Sequence, residues 1–158
     1  MYAEDAFLPE TSHDMVTRLL IALALMSACV VIHATGIAWA IRRFGRLVHN
    51  AARFWQWMGI FVQIAALVVM VHLVEIVVWG LFYVRVGGMP DFESAWYFSA
   101  VTYTTTGYGD LVLPPEWRLL GAVEALTGIL MCGWSTGFFF AVVSRMFEER
   151  NAAETDGP

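Results

Sequence analysis

The sequence predicts an all-α membrane protein with three transmembrane helices. Hydrophobic residues make up 59% of its 158 residues and charged residues 15%, against roughly 45–50% and 25% in an average soluble domain. The mean hydropathy is +0.63. The apolar excess is concentrated in a few long runs, which is typical of segments that cross a lipid bilayer.

Three apolar runs, at residues 15–41, 54–86 and 117–147, are the predicted spans. A helix rises about 1.5 Å per residue, so each run is long enough to cross a hydrocarbon core of about 30 Å. A basic connector at 42–53 separates the first two runs, and a Gly-Gly-Met-Pro-Asp turn at 87–91 follows the second. Such glycine and proline clusters interrupt helices.

The distribution of arginine predicts the orientation in the membrane. All nine basic residues are arginines, and six of them lie in the connector or near the C-terminal end: Arg42, Arg43, Arg46, Arg53, Arg145 and Arg150. Because positive residues favour the cytoplasmic side, we expect the N-terminus outside and the C-terminus in the cytoplasm.

Other classes of function lack support in the sequence. No basic patch with interleaved aromatic residues suggests a nucleic-acid partner. Cys29 and Cys132 both lie inside apolar runs, which argues against a disulfide framework and against a zinc site. No phosphate-binding loop, nucleophile elbow or His-Glu-x-x-His motif occurs. We therefore expect neither an enzyme nor a cofactor.

A segment between the second and third runs cannot cross the membrane as a helix. Residues 92–104 are amphipathic but too short, and residues 104–110 contain Gly107 and Gly109, which permit backbone angles that other residues avoid. Non-helical backbone at membrane depth is tolerated only when it is buried in protein or lines water. Such a strand can direct successive carbonyl oxygens to an axis, where rings of carbonyls replace the hydration shell of a cation. One chain supplies one strand, so a closed ring needs several copies, and four give a suitable size.

The loop carries the run Thr105, Thr106, Gly107, Tyr108, Gly109 and Asp110. This run resembles the selectivity filter of the potassium channel pore-domain family, and the order of outer span, pore helix, filter and inner span is also similar. The resemblance implies a bacterial two-span-type channel with one extra N-terminal span, a re-entrant pore helix and a homotetrameric assembly. Potassium is then the permeant ligand, bound by Thr105, Thr106, Gly107 and Tyr108. An ordinary glycine turn between two spans is the alternative.

On this interpretation the chain has four parts. Residues 1–14 form an extracytoplasmic N-terminal segment, and 15–53 form the extra transmembrane helix with its cytoplasmic connector. Residues 54–147 form the potassium channel pore domain, and 148–158 form a cytoplasmic tail. The expected location is the bacterial inner membrane, with the lipid bilayer as the surrounding partner.

Aromatic residues before the filter are candidates for supporting it. By resemblance, Tyr97 and Phe98 belong to a cuff of aromatic side chains around the filter, and Tyr97 forms a hydrogen bond with Asp110. General aromatic packing or an interfacial aromatic belt is the alternative interpretation.

An acidic residue on the third run is a further candidate for filter support. Some bacterial relatives place a Glu on the pore helix, at a position where this chain has Val101. Glu124 lies four residues before Gly128 and therefore shares a helix face with it. By resemblance Gly128 is the hinge glycine and faces the pore helix, so Glu124 is expected to do the same. A purely structural, hydrogen-bonded Glu124 is the alternative.

Four residues on the third run match pore-lining positions by resemblance: Ile129, Cys132, Thr136 and Phe140. Phe140 then narrows the inner mouth and gates the pore by dewetting. The glycines of this run equally suit close packing of helices in a membrane.

His72 and Glu75 are three residues apart on the second run and therefore share a helix face. Ionisable groups inside a span are costly and often functional. The pair either ties helices together or senses protons, since histidine titrates near neutral pH.

The filter departs from the family pattern at Thr106, where relatives usually have Val or Ile. The leading interpretation is a potassium-selective channel, and a weakly selective monovalent cation channel is the close alternative. A subunit of a potassium uptake transporter is less favoured, since such transporters usually carry four pore repeats in one chain. A haem-binding bundle that uses His33 and His72 is the remaining alternative.

Overall fold

The computed structural model describes residues 12–49 and 54–155, and within these ranges it contains helices and no strand. The four α-helices are α1 (Ser12–His49), α2 (Phe54–Arg85), α3 (Phe92–Tyr103) and α4 (Arg118–Thr155), and a 3₁₀ turn at Pro115–Trp117 precedes α4. Three helical segments are long and apolar enough to cross a membrane: Asp14–Gly45, Trp55–Arg85 and Pro115–Glu148. The predicted all-α fold with three spans and a short intervening helix is confirmed.

Two helices extend beyond the predicted spans. α1 continues to His49, eight residues past the predicted end of the first span, and α4 continues to Thr155, eight residues past residue 147. The helix therefore continues into the basic connector that the sequence places from residue 42. Arginine is a good helix former, so a change from apolar to basic residues ends the membrane segment and leaves the helix intact. Residues 1–11, 50–53 and 156–158 lie outside the described residues.

The first helix packs on the same chain. α1 contacts α2 and α4, while α3 lies against both α2 and α4. The side of α4 that packs against the other helices carries a row of buried residues at helical spacing: Glu124, Thr127, Met131 and Ser135. The short helix α3 therefore lies in a cradle formed by the two longer helices that flank it in sequence.

Local side-chain contacts determine where α3 begins. The Asp91 carboxylate accepts hydrogen bonds from the Ser94 backbone N–H at 2.8 Å and from the Ser94 hydroxyl at 3.1 Å, which is the N-cap arrangement. These hydrogen bonds lower the pKa of Asp91 below its ordinary value. A Cβ at Gly80 would lie 3.4 Å from the backbone of Ala95 and Trp96. The absence of a side chain at Gly80 therefore lets α2 approach α3 closely.

Candidate functional site

The loop after α3 has an alternating backbone conformation. Thr105, Gly107 and Gly109 have φ angles of 58°, 56° and 77°, whereas Thr106 and Tyr108 between them have negative φ. A residue with a Cβ loses about 1–2 kcal/mol in the left-handed region, which explains glycine at two of the three positions. Alternation of this kind turns successive amide groups to one side of the loop. The carbonyl groups are thereby directed to the other side.

The amide groups of the loop face the end of α3. The Thr105 N–H donates to the Thr102 carbonyl at 2.9 Å, and the Thr106 and Gly107 N–H groups donate to the Val101 carbonyl at 3.0 and 3.2 Å. Within the described ranges, no hydrogen bond uses a carbonyl oxygen of residues 105–109. These oxygens therefore remain available as ligands for a cation.

The side chain of Thr106 is directed back towards α3. Its hydroxyl lies 3.0 Å from the hydroxyl of Thr104, which donates to the Ala100 carbonyl at 2.7 Å. Because Thr104 has only one hydroxyl proton, its oxygen accepts from Thr106. The residue that departs from the family pattern thus makes a polar contact behind the loop.

The outer end of the loop is tied to α3 by one side-chain hydrogen bond. The Tyr97 hydroxyl donates to the Asp110 carboxylate at 2.8 Å, so the expected contact between these two residues is present. The hydrogen bond lowers the pKa of Asp110 and raises that of Tyr97. Phe98 lines a cavity between α3 and the loop, together with Val101 and Gly107.

The hydrogen bond can be tested by titration of Asp110. Tyr97→Phe removes the largest cause of the lowered pKa, so we expect the pKa of Asp110 to rise towards its ordinary value. Carbon NMR of aspartate-labelled protein measures this change. Asp91 is an internal control, because its pKa is lowered by Ser94 and is expected to stay constant. An unchanged Asp110, or an equal shift at Asp91, would contradict the assignment.

Glu124 is buried and connects α4 to two other helices. Its carboxylate accepts hydrogen bonds from the Tyr83 hydroxyl of α2 at 2.7 Å and from the Ser99 hydroxyl of α3. Glu124 thus contacts the middle of α3, and among the described residues its side-chain hydrogen bonds do not reach the loop at residues 105–109. Tyr83 and Ser99 were not predicted as its partners from the sequence. The available signal was Ser99, a small polar residue on the buried face of α3 that could have been expected to contact a buried carboxylate.

Gly128 lies directly against the end of α3. A Cβ on this glycine would overlap the carbonyl oxygen of Tyr103, so the helix backbones meet here. α4 is one continuous helix through this position, and the hinge role of Gly128 stays a prediction. The four residues predicted to line a pore are exposed in the single chain: Ile129, Cys132, Thr136 and Phe140.

His72 and Glu75 belong to a larger polar cluster than the sequence predicts. The Glu75 carboxylate lies 3.3 Å from His72 Nδ1 and 3.1 Å from Nδ1 of His33 on α1. Tyr103 of α3 donates to the same carboxylate, and Ser135 of α4 contacts both imidazoles. His33, Tyr103 and Ser135 lie on other helices, so helical spacing alone gave no signal for them. The side chains of His33, His72 and Glu75 are placed so that they can hold a metal ion.

The arrangement of the two histidines does not fit the haem alternative. Their ring centroids are 5.1 Å apart and the ring planes make an angle of 49°. Both rings contact Ser135, and both lie against Glu75. This close packing leaves no gap for a porphyrin between them.

Comparison with known families agrees with the geometry of the loop. Residues 71–145 match a family model described as "Ion channel". The matched segment contains the C-terminal part of α2 from residue 71, all of α3, the loop with the alternating backbone, and α4 up to Arg145. Neither the curated proteins nor the solved structures give a match. The family match supports an ion channel pore, and with the three candidate spans it supports a multi-pass membrane protein.

Proposed function

We propose that this chain is the subunit of a homotetrameric potassium channel that conducts ions passively. The observation that carries the proposal is the loop at residues 105–109, whose carbonyl oxygens accept no hydrogen bond from the described residues. Rings of carbonyl oxygens replace the hydration shell of potassium in a selectivity filter. The proposed ion ligands are Thr105, Thr106, Gly107 and Tyr108, with Gly109 completing the row.

The incompleteness of a single chain as a pore supports assembly of several chains, and four loops give a ring of suitable size. A single loop surrounds no ion, and its residues 104–110 are all exposed in the single chain. The α4 residues Ile129 and Phe140 are also exposed, at 58% and 74%. A fourfold arrangement covers this apolar surface and brings four loops around one axis. The C-terminal end of α3, which carries a partial negative charge, directly precedes the loop and favours a cation there.

The proposed location is the bacterial inner membrane, and the distribution of arginine supports an orientation with the N-terminus outside. The predicted inner side contains Arg42 and Arg43 near the end of the first span and Arg145 near the end of the third. The loop at residues 105–110 then lies towards the outer side, and Phe140 lies near the cytoplasmic mouth.

Thr106 favours a second candidate function, a weakly selective monovalent cation channel. Its hydroxyl is hydrogen-bonded to Thr104 behind the loop, where relatives have an apolar side chain. Bi-ionic reversal potentials of the purified protein in planar bilayers separate the two functions. A reversal potential far from zero, with the sign set by potassium flow, supports the potassium channel. A reversal potential near zero supports the weakly selective channel. An absence of potassium and sodium currents would overturn both.

The influence of Thr106 on selectivity is testable by substitution. Thr106→Val removes the hydroxyl and its hydrogen bond, so we expect the permeability ratio of potassium to sodium to rise. Thr127→Val is a matched control, because the Thr127 hydroxyl donates at 2.8 Å to the Val123 carbonyl within α4. We expect the control to leave the ratio unchanged. An unchanged ratio in Thr106→Val would show that this side chain does not limit selectivity.

A further inference from the structure

A polar cluster inside the helix bundle joins all four helices. It contains His33 from α1, His72 and Glu75 from α2, Tyr103 from α3 and Ser135 from α4. His33 and Glu75 are almost fully buried, at 1% and 0% exposure of their side chains, and the side chain of His72 is 16% exposed. Burying ionisable groups in a membrane protein is costly, so this concentration of them on packed helices calls for a specific role.

Three side chains of the cluster present metal-ligand atoms to one point. The His33 Nδ1 atom is 3.1 Å from Glu75 Oε1, and the His72 Nδ1 atom is 3.3 Å from Glu75 Oε2. One ligand atom from each of the three residues lies within 4.8 Å of the others. Zinc binds nitrogen and carboxylate oxygen at about 2.0–2.2 Å, so tetrahedral ligands lie roughly 3.4 Å apart. The two histidine-to-carboxylate separations, each to a different oxygen of Glu75, are close to this value.

The orientation of the two imidazoles gives an independent argument. Ser135 Oγ lies 3.1 Å from His33 Nε2 and 3.0 Å from His72 Nε2. A metal-bound histidine usually donates its other ring N–H to an acceptor that holds the ring in place. A hydroxyl oxygen has two acceptor positions, so Ser135 can accept from both Nε2–H groups. Both Nδ1 atoms then face the Glu75 carboxylate without protons.

The charges and the neighbouring oxygen also suit a divalent cation. The Glu75 carboxylate offsets one of the two positive charges, and the Tyr103 hydroxyl lies 3.0 Å from His72 Nδ1 as a further oxygen donor. Two histidines with one carboxylate are typical ligands of zinc and related first-row metals. Without an ion, the same five side chains close a ring of five hydrogen bonds.

We propose that His33, His72 and Glu75 bind one divalent transition-metal ion per chain, with Zn²⁺ as the best match. The cysteines, which argued against a zinc site at the level of sequence, take no part. The ion fastens α1, which lies outside the matched channel segment at 71–145, to the second helix. The site also contacts Tyr103, which is the last residue of α3 and lies shortly before the loop at residues 105–109.

Titration of the full-length protein with Co²⁺, a spectroscopic substitute for Zn²⁺, tests the proposal. After treatment with a chelator, the purified protein is expected to bind one Co²⁺ per chain with visible absorption bands, and Zn²⁺ is expected to displace it. His33→Gln and Glu75→Gln are expected to weaken binding more than about 100-fold, since even residues that only orient ligands contribute about 10–100-fold. Ser135→Ala is expected to weaken it about 10–100-fold.

The control uses the other two of the four histidines. His13→Gln combined with His49→Gln is expected to bind Co²⁺ as the wild type does. The proposal is overturned when the wild type shows no saturable binding, when His33→Gln keeps wild-type affinity, or when the control variant loses binding. Should His33→Gln fail to fold by circular dichroism, Ser135→Ala decides, and wild-type affinity in that variant overturns the proposed orientation of the ligands. Binding is measured without ion flux, so its outcome is separate from that of the proposed potassium conduction.

Discussion

Gly107→Ala is expected to abolish potassium flux while the transmembrane helices remain folded. Gly107 has a φ of 56°, and an L-residue with a Cβ costs about 1–2 kcal/mol in this region. A Cβ at Gly107 meets no described atom within 4 Å, so the cost comes from the backbone and not from crowding within the chain. In the proposed tetramer this strain occurs four times.

The strain relaxes most easily by rotation of the peptide groups next to residue 107. Such a rotation breaks the hydrogen bond from the Gly107 N–H to the Val101 carbonyl and removes a carbonyl from the proposed row of ion ligands. An incomplete row no longer replaces the hydration shell of a potassium ion. Flux from liposomes loaded with potassium is therefore expected to fall to the level of empty liposomes.

Gly87→Ala is the matched control for this experiment. Gly87 has a φ of 70°, and a Cβ there also meets no described atom within 4 Å. The backbone strain is therefore similar, but Gly87 lies in the turn after α2 and away from the loop. We expect its flux per folded channel to equal that of the wild type. Wild-type flux in Gly107→Ala would overturn the filter assignment, and equal loss in both variants would attribute the effect to general instability.

The fold could be predicted from local patterns, because membrane spans and turns are determined by the residues of short, continuous stretches of sequence. The Gly-Gly-Met-Pro-Asp turn and the short amphipathic segment after it predicted α3, which the structure has at Phe92–Tyr103. The ends of α1 and α4 were not predictable in the same way. Hydropathy indicates where a helix leaves the lipid but not where the helix itself ends, because arginine and glutamate continue a helix readily.

Apart from the hydrogen bond between Tyr97 and Asp110, which the family resemblance implied, polar contacts were predictable only where both partners lie on one helix. The three-residue spacing of His72 and Glu75 was sufficient to place them side by side. Their contacts with His33 and Tyr103 join residues that are 42 and 28 positions from Glu75, and Ser135 is 63 positions from His72. These contacts depend on how α1, α3 and α4 pack, which no local periodicity determines.

Gly128→Ala is expected to prevent normal packing of α3 against α4. A Cβ at Gly128 would overlap the carbonyl oxygen and the carbonyl carbon of Tyr103, and a backbone atom cannot move aside as the end of a flexible side chain can. Overpacking a core costs about 1–3 kcal/mol and occasionally more; we expect a cost at or above the upper end of this range. Tyr103 is the last residue of α3, so the displaced segment is the one that leads into the loop at residues 105–109.

Gly133→Ala on the same helix is the control, because it has the general effect of a glycine-to-alanine substitution in a helix without the clash. Replacing a helical glycine by alanine stabilises a helix by roughly 0.5–1 kcal/mol when space allows, and a Cβ at Gly133 meets no described atom within 4 Å. Thermal unfolding in detergent and the fraction of assembled protein after purification measure both variants. We expect Gly128→Ala to lower Tm and reduce assembly, and Gly133→Ala to keep Tm at or above the wild-type value. If Gly128→Ala instead keeps the wild-type Tm and flux, the close contact between α4 and the end of α3 does not hold the loop at residues 105–109 in position.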